Sequence, residues 1–118
     1  MYLTNAFSLN MVKPVPGGVT IHARPVTVQD VRDIYWGTGY RYEAPGLASA
    51  VGHADTAALF SNILAFPVTP NRISIELDVG DQLVVGQYRG PRLAVGATEL
   101  PDGATIGWYV ITIAQGKY

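Results

Sequence analysis

Very few side chains in this chain are equipped for chemistry. Its 118 residues hold two histidines, no cysteine, and nine carboxylates against eight lysines and arginines. Without cysteine there is no thiolate nucleophile, thiolate metal site or disulfide. His53 is the better placed histidine. It stands in Val51-Gly52-His53-Ala54-Asp55-Thr56, between a glycine that permits close backbone approach and the start of a predicted helix. A helix start offers unpaired N–H groups and the positive end of the helix dipole, and so attracts phosphate. An imidazole there, with an ordinary pKa of roughly 6.5, can give or take a proton at a leaving-group oxygen. The same position equally suits a helix cap or an ordinary loop histidine. His22 falls on the polar side of a predicted strand, and alternation alone accounts for it.

Arg72, Arg89 and Arg92 form a second constellation. They stand at the start and end of a predicted hairpin, where they would converge at one end of a sheet and bind phosphates bidentately. Alternatively they are solvated partners of Glu76, Asp78 and Asp81. Asn5 and Ser8 suit a base edge or a ribose hydroxyl, and equally suit the capping of a following turn. No glycine-rich phosphate loop, Ser-His-Asp arrangement or ligand-spaced metal cluster is visible, so no cofactor is expected.

The elements that must position these residues follow from periodicity. A short strand opens the chain at Tyr2 and gives way to polar residues before Met11. Val19, Ile21 and Ala23 alternate with Thr20, His22 and Arg24 as a second strand. Thr27 and Asp30 make a capping box for a helix running to about Trp36, with Val28, Val31, Ile34 and Tyr35 inward and Gly37 at its end. Tyr40 to Gly46 reads as an ordered surface loop. A second helix is predicted from about Asp55 to Ala65, with Leu59, Phe60, Ile63 and Leu64 as its core stripe. Ile73 to Val79 alternates as a strand, Gly80-Asp81 turns, and Leu83 to Tyr88 returns as its antiparallel partner. Ile106 to Ala114 is apolar on both faces, as a central strand should be. The whole is a single α+β domain over residues 1–118, with a mixed sheet flanked by two helices.

Composition narrows the partners. With 48% hydrophobic residues and a formal charge of −1, the chain can bury a core but lacks the broad basic surface that grips long nucleic acid. No stretch approaches the ~18 apolar residues that span a bilayer, so a soluble, cytoplasmic protein with no membrane partner is expected.

The residues also carry a resemblance. Tyr2-Leu3-Thr4-Asn5-Ala6-Phe7-Ser8-Leu9-Asn10-Met11 resembles the opening of the viral type III anti-CRISPR ring nucleases. Ala50-Val51-Gly52-His53-Ala54-Asp55-Thr56 is similar to that family's Gly-His segment, Asn71-Arg72 to its Asn-Arg pair, Gly80-Asp81 to its hairpin turn, and Arg92-Leu93 to its Arg-Leu pair. The blocks occur in order over nearly the whole chain. The resemblance implies a homodimer that encloses cyclic tetra-adenylate and cleaves it without metal, disarming type III CRISPR defence in the host cytoplasm. It further implies that Asn5, Ser8, Arg72, Gln87 and Arg92 line the ligand site and that His53 acts on the scissile phosphate; Arg89, from the arginine constellation, is a further ligand-binding candidate.

One departure bears on activity. The family pattern has a carboxylate three residues after the Arg of the Arg-Leu pair, followed by Gly, and here Val95 precedes Gly96. An anion beside an imidazole favours its charged form, so the loss predicts slower catalysis unless Glu99 or Asp102 substitutes. Two expectations stand: a ring nuclease with His53 and Arg92 as catalytic residues, or a non-catalytic sponge for a cyclic oligonucleotide or cyclic dinucleotide messenger.

Overall fold

A computed structural model describes residues 1–37 and 46–116. The loop read from Tyr40 to Gly46 lies outside them, except for Gly46. Five strands make one mixed sheet: β1 (Tyr2–Thr4), β2 (Val19–Val26), β3 (Ala48–Ser49), β4 (Gln82–Arg89) and β5 (Thr105–Gln115), in the spatial order β2-β5-β4-β1-β3. β1 runs parallel to both β3 and β4, and β5 runs antiparallel to β4 and β2. The fold is α+β, as the pattern of elements predicts.

Both helices form where their caps and stripes require. In α1 (Val28–Trp36) the Thr27 hydroxyl accepts from the Asp30 N–H, and the Asp30 carboxylate accepts from the Thr27 N–H at 2.9 Å. That donation holds the Asp30 carboxyl below its ordinary range. Gly37 ends the helix in the left-handed conformation, where a Cβ would be strained. In α2 (Ala54–Leu64) the buried stripe is Ala57, Leu59, Phe60 and Leu64. The Arg32 guanidinium closes the far end of α2 by donating to the carbonyls of Ile63 and Leu64, at 2.9 and 2.8 Å. A cation there also meets the negative end of the helix dipole.

The sheet has a core on each face. The helices pack on Leu3, Val84, Trp108 and Val110, with Phe60, Leu64, Val31 and Phe66 between the layers. Ile75 and Leu77 cover Leu83, Val85, Ile111 and Ile113 on the other face, with Phe7, Met11 and Val12 beside them. These are the two faces of one alternating pattern along β4 and β5.

The segment Ile73 to Val79 corrects an expectation. It is not a strand paired with β4; its one ladder contact is an isolated parallel bridge between Leu77 and Val12. Both edges of β4 are already occupied, by β5 over its full length and by β1 at its start. The alternation is physical only at its centre, where Ile75 and Leu77 are buried and Ser74, Glu76 and Asp78 are exposed; Ile73 and Val79, expected on the buried side, are exposed. The Gly80-Asp81 turn forms as expected, but it leads into β4 beside β5, with the Gly80 N–H bonded to the Ile113 carbonyl. The real hairpin is β4–β5, and its long connection carries Arg92.

Candidate functional site

The three parallel strands β1, β3 and β4 end on the same side of the sheet, and the chain leaving each of them carries a candidate residue. Asn5 follows β1; Val51, Gly52 and His53 follow β3 and enter α2; Gln87 and Arg89 lie where β4 outruns β1, beyond the last pair Thr4–Val85. The carboxyl ends of parallel strands are where open sheets bind ligands.

Asn5 and Gln87 line one concavity of about 330 Å³ on the face opposite the helices. Its floor is Val85, Ile111 and Ala23, and Phe7 and Tyr109 stand at its sides. It exists because Ile75, Leu77 and the N-terminal turn cover only part of that face. Arg89 projects to the same face two residues beyond Gln87, and both side chains are exposed.

His53 is the N-cap of α2, with extended backbone (φ −110, ψ 131) and no capping bond from its side chain. Its ring is exposed and neither nitrogen is used to hold the helix start. Beside it, the segment after Pro70 runs along the exit from β3. The Asn71 N–H donates to the Val51 carbonyl and the Asn71 side chain to the Ser49 carbonyl, both at 2.8 Å. This pairing lays Arg72 across Gly52: a Cβ at Gly52 would stand 3.7 Å from the Arg72 Cγ and Nε. Asn71 is therefore a structural clamp, and Arg72 is the member of the pair that reaches the neighbourhood of His53.

Arg92 lies in the β4–β5 connection and is exposed. Among the described residues no carboxylate lies within 4.0 Å of Arg72, Arg89 or Arg92; Glu76 and Asp78 pair with Lys13 instead. The Asp78 carboxylate, by hydrogen bond and charge, holds the Lys13 ammonium above its ordinary value. Ser8 lies apart, its hydroxyl accepting from the Asn10 N–H at 3.2 Å and capping the short 3-10 turn Leu9–Met11.

Val95 is 95% exposed. Glu99 follows Thr98, whose carbonyl accepts from the Asn62 side chain at 2.7 Å. Asn62 is about 13 Å along the helix from His53, at 1.5 Å per residue. Among the described residues no group of three or more His, Asp or Glu side chains is arranged to hold a metal ion, and no helix is long and apolar enough to cross a membrane.

Two contributors escaped sequence reasoning. Tyr109 lines the concavity, and the signal for it was available: Tyr109, Ile111 and Ile113 occupy one face of the last strand. Asp55, which contacts the Arg92 loop, gave no usable signal, because an acidic residue in a first helical turn is explained by the dipole alone.

A mixed five-stranded sheet with two helices on one face defines an α+β architecture, and it has a solved counterpart. The fold is similar to that of B116 of Sulfolobus turreted icosahedral virus, with a TM-score of 0.68 and 26% identity, over 94% of this chain and 97% of that one. The family model of the STIV B116-like proteins matches residues 1–104, and the chain belongs to that family. It is also 34% identical over 84 residues to uncharacterized protein 26 of Sulfolobus islandicus filamentous virus, a match that takes in 71% of this chain and 64% of that relative's length. Both relatives are proteins of archaeal viruses.

Proposed function

We propose that the chain is a metal-independent ring nuclease that opens a cyclic oligoadenylate, with cyclic tetra-adenylate as the first candidate, and thereby counters type III CRISPR signalling. The observation that carries this reading is that β1, β3 and β4 deliver Asn5, an uncommitted His53 and Gln87 at the same parallel end of one sheet, with Arg72 laid against Gly52 next to His53. The motif order from Tyr2 to Leu93 points the same way.

The chemistry asks for what these residues offer. A ribose 2′-hydroxyl attacks its own neighbouring phosphorus, the bond to the 5′ oxygen breaks, and a 2′,3′-cyclic phosphate and a 5′-hydroxyl result. The nucleophile belongs to the substrate, so the protein's task is to hold the ribose in line for attack. Protonated His53 donates to the departing 5′ oxygen, and the 2′ proton is lost to solvent. Arg92 and the first-turn N–H groups of α2 stabilise the extra negative charge on the phosphate. An amide side chain matches the donor and acceptor on an adenine edge, which suits Asn5 and Gln87 at a largely apolar concavity. A four-nucleotide ring contains a two-fold axis, so a symmetric dimer would present each of these residues twice.

A second reading, a sponge that retains the messenger intact, is favoured by one observation. The position where the resemblance expects a carboxylate is the fully exposed, apolar Val95, and Thr98, the residue before Glu99, is tied to Asn62 well along α2 from His53.

One experiment separates these readings. Purified protein is incubated in EDTA with a panel of cyclic oligoadenylates and cyclic dinucleotides, and retention and cleavage are followed by chromatography. Linear products ending in 2′,3′-cyclic phosphate support the nuclease, and an intact ring tightly retained supports the sponge. Neither outcome with any ring would overturn both. Sedimentation equilibrium with the bound ring tests the dimer, and a monomer would remove the shared two-fold site.

A further inference from the structure

The connection between β4 and β5, from Gly90 to Ala104, is long enough that an untethered version would wander, yet it is tied down on both sides of Arg92. Upstream, the Tyr88 hydroxyl donates to the Pro91 carbonyl. Downstream, the Ala97 N–H closes a turn on the Ala94 carbonyl at 3.0 Å. At the tip of that turn the Gly96 N–H donates to the Asp55 Oδ1 at 3.2 Å. Gly96 has φ +78, a left-handed conformation in which the backbone can turn its N–H toward the helix. A second tether follows at Asn62, whose side chain donates to the Thr98 carbonyl. Asp55 lies in the first turn of α2, two residues after His53, and has no cation within 4.0 Å among the described residues.

We infer that Asp55 is a positioning residue: its carboxylate fastens the Arg92 strap to the first turn of α2, so that His53 and Arg92 move as one unit. The inference rests on the proposed reaction for its functional consequence, while the tether itself is independent of any ligand. Holding Arg92 in place beforehand spares the bound ring the cost of ordering the loop, which is how preorganisation raises both affinity and rate.

The test compares the wild-type chain with Asp55→Ala, Asp55→Asn and Asn62→Ala. Amide hydrogen exchange is measured without ligand on peptides covering residues 92–99. Asp55→Ala should speed exchange there about tenfold, the loss expected for one charge-assisted hydrogen bond. Asp55→Asn retains an acceptor oxygen and should restore most of the protection. Asn62→Ala leaves the helix start intact and should loosen the strap near Thr98 only. With cyclic tetra-adenylate as the probe, Asp55→Ala should weaken binding and lower kcat together, and Asp55→Asn should recover both. Unchanged exchange in Asp55→Ala, or Asp55→Asn behaving as Asp55→Ala, overturns the tether. A loosened strap with unaltered binding and turnover overturns the positioning role. If the wild-type chain neither binds nor cleaves the ring, the proposed function fails, and the exchange data still decide the tether.

Discussion

Adding one methyl group at Gly86 tests how the helices pack on the sheet behind the concavity. Gly86 lies opposite Trp108 in the β4–β5 ladder and faces the helices. A Cβ there would meet the Trp108 Cζ3 first, and would stand 2.7 Å from the Phe60 Cζ and 2.9 Å from the Trp108 Cε3. Comfortable carbon–carbon contact begins near 3.5 Å, so the deficit is roughly 0.8 Å against Phe60 and larger still against Trp108. Neither ring has room to give way, because Phe60 is fully buried and Trp108 nearly so. The strand must move away from α2, or the rings must leave their rotamers. Overpacking of this kind costs about 2 kcal/mol, which for a domain of this size lowers Tm by about 8 °C. Gly52→Ala is the control, since its Cβ would meet Arg72 at an ordinary 3.7 Å. Melting of both variants is followed by circular dichroism. A Gly86→Ala melt within about 2 °C of wild type, or an equal fall in Gly52→Ala, would refute the packing argument.

Other outcomes follow from the same geometry. His53→Ala should abolish ring cleavage while leaving binding largely intact, and Arg92→Ala should reduce both, as read by chromatography and by titration with the ring. Arg32→Met keeps the aliphatic stem but removes two bonds to the end of α2, and should cost about 2 kcal/mol in a urea titration. Asp30 has its carboxyl held below the ordinary range by the Thr27 N–H. Its contribution is therefore present above the unfolded-state pKa, near 3.9, and is lost as pH falls through the lower folded value. Asp30→Asn should accordingly be less stable than wild type at pH 7, with the difference shrinking below about pH 4. A difference that stayed constant into acid would remove the carboxylate from the cap.

Local signals were the legible ones. The Thr27–Asp30 box, the left-handed Gly37 and the apolar stripe ending at Leu64 each act within a few residues, and both helices form where they indicate. Alternation correctly marked Ile75 and Leu77 as buried and missed that Ile73 and Val79 are exposed, and burial on one face says nothing about hydrogen-bonded neighbours. With β1 and β5 holding the edges of β4, that segment could only lie across the sheet. The gathering of Asn5, His53 and Gln87 was illegible for a related reason. It depends on β1 pairing in parallel with strands far along the chain, which no local pattern encodes. Arg72 was expected near the site by way of a hairpin, and reaches it instead through the bonds of Asn71 to Ser49 and Val51.

The place of β1 between β3 and β4 also orders events in time. β1 has its two neighbours at residues 48–49 and 82–89, so it cannot be enclosed until those later segments are in place. Contacts this distant in sequence close slowly. Asn5, carried at the end of that strand, should thus be among the last side chains to reach its place. A partly folded chain would hold its helices and the β4–β5 hairpin but no completed concavity, and assembly of the ligand site would coincide with the final cooperative step of folding.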